Sequence, residues 1–143
     1  MDRRHIFKTI AAAGLGVFTA DRARADPARA TRVVYHLADL EKVAFVLGNL
    51  ANHLEGAGGA VALAVVVHGA ALASFRLGGT NLGVVEDIKA RMKAGIAFHA
   101  CAHTMAAMKM TLNDLPPGFA VAEKGGVVLL ADLQAQGWAY LRP

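Results

Sequence analysis

The chain predicts a three-layer α/β/α sandwich built on a mostly parallel five-stranded sheet. Three observations carry this. Short β-forming runs alternate with helical patterns throughout. One run, Val61 to Val67, is apolar without interruption, as expected of a strand covered on both faces. The connections between strands are long enough for crossovers, so neighbouring strands run parallel.

The elements follow in order. Arg32 to Leu37 is the first strand, and Asp39 is placed to cap the helix after it. Val43, Leu47, Leu50 and Leu54 recur at helical spacing, with Phe45 and Val46 widening the stripe, until Gly56, Gly58 and Gly59 stop it. Val61 to Val67 is the second strand and ends at His68-Gly69. Ala70 to Leu77 reads as a short helix, broken by Gly78-Gly79-Thr80-Asn81, with Thr80 or Asn81 capping the next helix, Leu82 to Lys93. Gly95 opens a third strand, Ile96 to Cys101, and Thr104 to Met110 is helical. The diproline Pro116-Pro117 lies in a loop, Asn113 to Gly118. Phe119 to Ala122 is a fourth strand, Val127 to Gln136 a helix, and Trp138 to Leu141 the last strand.

Of 143 residues, 55% are hydrophobic and 18% charged, with mean hydropathy +0.40, which excludes a disordered chain. A single cysteine excludes a disulfide framework and a Cys-rich metal or cluster site. Residues 1–25 read as an export signal of the twin-arginine type, either cleaved or retained as an anchor. Arg3-Arg4 precede an uncharged stretch, Thr9 to Ala20, and Ala23-Arg24-Ala25 supplies a cleavage site. That stretch is too short to span a bilayer, which takes about 20 residues. Residues 26–143 are then the domain, periplasmic once exported and without a membrane anchor after cleavage. The net charge of +4 sits mostly in the signal, because 1–25 hold five basic and two acidic residues. The remaining sequence has no basic stripe, which removes the electrostatic footprint of nucleic-acid binding.

In open parallel sheets, ligands bind at the carboxyl ends of the strands. Those ends hold His36, His68, Gly69 and the run His99-Ala100-Cys101-Ala102-His103-Thr104. Cys101 stands between a strand and a helix, where backbone N–H groups lower a thiol pKa. A thiolate so placed attacks sulfur or carries a persulfide. The plainer reading makes Cys101 a small buried hydrophobe and the histidines strand-end or core residues. His99 alternates onto the same sheet face as Cys101. Asn49, Asn52 and His53 read as helix-surface or subunit-contact residues.

No metal site is expected, since three or four ligands must converge on one ion. Met105, Met108 and Met110 read as core or interface filler, with a copper-binding face as the lesser alternative. Nucleotide-binding and serine-nucleophile motifs are absent, so no cofactor is expected.

From Arg32 to Pro143 the chain resembles the DsrE/DsrF-like family. The residues that carry this are Val33-Val34-Tyr35-His36-Leu37, the Asn49, Asn52, His53 helix, Val66 to Gly69, Phe98 to Cys101, and the tail with Leu133, Gln134, Gly137, Trp138, Tyr140 and Pro143. His103 stands where this family's turn commonly has Asn, and Ala70-Ala71 where Gly-Pro is more usual. The resemblance implies an α/β/α sandwich, a homo-oligomer (trimer or hexamer), and a cysteine that passes sulfur between a donor and an acceptor protein as a persulfide. Cys101 inherits that role, with His36, His68, Gly69, His99, His103 and Thr104 supporting it. The competing expectation is a non-catalytic periplasmic oligomer that binds a metal or small ligand through the strand-end His and Cys.

Overall fold

The computed structural model describes residues 30–143 except Thr80. The export signal and Thr80 lie outside the described residues; Asn81, the other cap candidate, is the N-cap of the helix that begins at Leu82 but makes no side-chain cap. Five strands form one all-parallel sheet: β1 (Thr31–Leu37), β2 (Val61–Val67), β3 (Ala97–Cys101), β4 (Phe119–Ala122) and β5 (Ala139–Leu141). Helices α1 (Val43–Gly56), α2 (Leu82–Lys93), α3 (Ala102–Ala107) and α4 (Gly126–Ala135) connect them, with 3-10 segments at Leu40–Lys42, Gly69–Phe75 and Leu112–Asp114. No helix among the described residues is long and apolar enough to cross a membrane.

The spatial order is β4-β3-β2-β1-β5. The chain therefore walks outward from β1 to β4 and then returns to β5 beside β1. Right-handed crossovers place helices on one face during the outward walk and on the other during the return. The cores agree. Val43, Val46, Leu47 and Leu50 of α1 and Ile88 of α2 pack with Val33, Tyr35, Leu63, Val65, Phe98 and Phe119 on one face. Leu130 of α4 packs with Val34, Ala64 and Val66 on the other. The return also creates a topological switch point between β1 and β5, the place where open α/β sheets bind ligands.

Three local expectations are corrected. Phe45 is 56% exposed and lies under the Lys42 ammonium instead of widening the buried stripe, because position 45 turns away from the sheet. Asp39 precedes a 3-10 turn and makes no side-chain cap; its carboxylate accepts instead from Arg142 Nη2 at 3.3 Å. Ala70 to Leu77 is not an α-helix: a 3-10 segment buries Ala71, Leu72 and Phe75, whose spacing fits three residues per turn. Met105 and Met110 are buried in the main core and Met108 packs against it, so these thioethers fill space instead of forming a ligand face.

Candidate active site

Strand pleating sorts the predicted residues. Val33, Tyr35 and Leu37 point into the larger core, so His36 points to the α4 side; on β2 the same alternation sends Val66 and His68 there, and on β3 His99 and Cys101. Val67 pairs with Ala100 in the β2–β3 register, which makes His68 and Cys101 cross-strand neighbours one step further on.

Cys101 is 6% exposed and stands as the N-cap of α3. The backbone N–H groups of Thr104, Gly126 and His103 and the Thr104 hydroxyl lie on the side of its sulfur and favour the charged form. The Thr104 oxygen is itself held, because Gly69 donates its N–H to Oγ1 at 3.1 Å, leaving the hydroxyl proton for the sulfur. Gly69 has φ +57°, and a Cβ there would come within 3.3 Å of the Ala38 carbonyl, so this corner requires glycine. Burial pushes the thiol up, but the four donors together outweigh it and hold it below its ordinary value. His103 contributes its backbone N–H to the sulfur, while its ring lies beside Gly125.

Gly126, at the start of α4, had no role in the sequence reading. A Cβ on it would stand 3.2 Å from Val66 Cγ1, 3.4 Å from Cys101 Cβ and 3.5 Å from His68 Cβ. A side chain here would crowd Val66, so glycine brings the start of α4 close to the sulfur. The pair Gly125-Gly126 after a strand and before an apolar helix was the available signal. Gly126→Val is expected to lower stability by about 1–3 kcal/mol through overpacking. It also withdraws the Gly126 N–H and moves the midpoint of thiol alkylation to higher pH; an unchanged midpoint would remove Gly126 from the site.

The histidines divide into two groups. His36 and His68 meet through their Nε2 atoms, with rings stacked at 22° and 4.6 Å between centroids. His36 Nδ1 lies 2.6 Å from the Tyr140 hydroxyl of β5. Burial lowers the pKa of His36, with repulsion from His68 and Arg142 adding to it and Asp39 opposing. Burial and then Arg142 lower that of His68, again against Asp39. His99 stands apart. It lines an adjoining cleft of about 390 Å³ with Lys124, Val128 and Asp132, and burial lowers its pKa. The Cys101 cleft, about 370 Å³, is slightly smaller: His68, Cys101, His103, Thr104 and Gly126 line it. His53 is tied to Tyr35, Nδ1 to hydroxyl at 2.9 Å, which gives it a structural task on α1. No group of three or more His, Cys, Asp or Glu side chains converges among the described residues in a way that would hold a metal ion.

No model of a known protein family matches the chain, and no curated protein does. Solved structures do. A protein of unknown function from Methanobacterium thermoautotrophicum, MTH1491, is 30% identical over 79% of this chain and 99% of its own, with a TM-score of 0.67. A conserved protein of unknown function from Bacteroides thetaiotaomicron, BT1422, matches 82% of this chain and 97% of its own at 16% identity and a TM-score of 0.61, a likeness of fold.

Proposed function

The chain belongs to the same family as MTH1491 of Methanobacterium thermoautotrophicum, and from that premise we propose that it is a sulfur-handling protein in which Cys101 accepts and hands on sulfane sulfur as a persulfide. One observation carries the reading: Cys101 stands at the N-terminus of α3 and against Gly126 at the start of α4, in a cleft where the surrounding N–H groups and the Thr104 hydroxyl hold its thiol below the ordinary value. Such an arrangement stabilises an anion, and a thiolate or a persulfide anion is the charge the site would hold. The earlier resemblance to the DsrE/DsrF-like family agrees with this use of the cysteine. No cofactor enters the reaction.

The domain acts as a homo-oligomer that passes sulfur between donor and acceptor proteins. Val127 and Val128, 68% and 41% exposed at the rim of the cleft, support a partner surface there. Export through the signal in residues 1–25 places the activity in the periplasm.

The test is the pH dependence of iodoacetamide labelling, followed by mass spectrometry after exposure to a small-molecule persulfide. A free thiol titrates near 8.5. Because the donors favour the charged form, the folded protein keeps its thiolate to lower pH. Labelling should therefore persist below that value and fade only as pH drops through the lowered pKa. One sulfur atom should add to Cys101. Labelling that appears only on unfolding, with no sulfur gained, overturns the proposal.

A further inference from the structure

We infer that Tyr140, His36 and His68 form a hydrogen-bonded proton relay that makes His68 the acid–base group of the Cys101 cleft. Three observations carry it. The two imidazoles meet nitrogen to nitrogen, a pairing in which one ring donates its N–H and the other accepts. The far nitrogen of His36 is engaged by the Tyr140 hydroxyl. His68, the near end of the chain, lines the cleft beside Cys101, and both Cβ atoms flank Gly126. The relay thus starts at the switch point between β1 and β5 and crosses two strands to reach the sulfur.

Direction decides what the relay does. If His36 Nδ1–H donates to the Tyr140 oxygen, His36 Nε2 accepts from His68 Nε2–H. His68 Nδ1 is then left with an open lone pair. A proton taken up there makes His68 an imidazolium whose Nε2–H is already held by a neutral acceptor. Tyr140 and His36 are positioning residues in this scheme. The charged groups around the pair are the Arg142 guanidinium, which disfavours a second proton, and the Asp39 carboxylate, which favours it. Lys124 and His103 line the cleft on its other side.

The inference rests on the sulfur-transfer reading and specifies the substrate as a protonated persulfide, R–S–SH. His68 takes the Cys101 thiol proton, and the thiolate attacks the terminal sulfur of R–S–SH. The bond between the Cys101 sulfur and that sulfur forms as the R–S to S bond breaks. The electron pair leaves on R–S⁻, and His68 returns its proton there. Cys101–SH and R–SSH become Cys101–SSH and R–SH, with no net proton or electron consumed.

The full-length protein serves for the test, with a glutathione persulfide as donor. His68→Asn should reduce sulfur transfer by about 100-fold. Alkylation of Cys101 by iodoacetamide should fall far less than sulfur transfer does, because it expels iodide and needs no proton returned to a leaving sulfur. Tyr140→Phe, on the exposed edge strand, should give a smaller loss and displace the acidic limb of the pH–rate profile. Histidine NMR on the unmodified chain gives a readout independent of sulfur chemistry. His36 and His68 should titrate as a coupled pair, and Tyr140→Phe should move the His36 nitrogen signals. Independent titrations overturn the relay even if sulfur transfer is intact. So do parental transfer rates with an unchanged pH profile in His68→Asn, or stoichiometric metal retained by the pair and lost in His36→Gln. Coupled titrations with no uptake of sulfur by the parent leave the relay standing and overturn the sulfur-transfer reading alone.

Discussion

Cys101→Ser is expected to abolish both alkylation and persulfide loading while the domain stays folded. The chain has one cysteine, so no second thiol can substitute. Serine keeps an acceptor in front of the Thr104, Gly126 and His103 amides, so the unfolding free energy should change by less than about 1 kcal/mol. Cys101→Ala separates the two roles of this position. It removes the acceptor and leaves N–H groups facing a methyl group, at a cost of about 1–3 kcal/mol. The difference in urea unfolding between the serine and alanine variants therefore reports the donor cluster itself, and the loss of loading in both reports the nucleophile. A serine variant that still gains sulfur would move the chemistry away from this turn.

The fold was legible because its signals are local. The seven apolar residues of β2 require cover on both faces, and the structure supplies α1 and α2 on one side and α4 on the other. The pleat alone placed His99 and Cys101 on one face of their strand; that His36 and His68 share that face follows from which residues of β1 and β2 enter the larger core. What was not legible depends on the return of the chain to β5. Tyr140 meets His36 across 104 residues, and Arg142 meets Asp39 across 103. Neither pairing has a local signature, since both follow from β5 lying beside β1. Gly126 was missed for a related reason. Its value lies in the close approach of a helix to two strands distant in sequence, which spacing along the chain does not encode. His99 shows the converse: correct in face, it opens into the neighbouring cleft because position 99 lies two residues short of the strand end.

Phe75→Ala carries the largest expected effect on stability. Phe75 is fully buried, and its ring packs 5.7 Å from that of Phe119, which in turn lies 5.8 Å from Phe98. Truncating such a ring costs about 3–5 kcal/mol, a large share of the roughly 5–15 kcal/mol that holds a typical domain together. The urea midpoint should fall by about 1–3 M. The position matters to function as well. Phe75 anchors the 3-10 segment that begins at Gly69, and the Gly69 N–H fixes the Thr104 hydroxyl that faces the sulfur. Loosening that anchor should shift the alkylation midpoint toward the ordinary thiol value even where the variant is still folded. A shift in urea midpoint without a shift in alkylation would mean that the corner at Gly69 holds its shape independently of the aromatic cluster, through the Ala71 N–H donating to the Ala38 carbonyl at 3.0 Å.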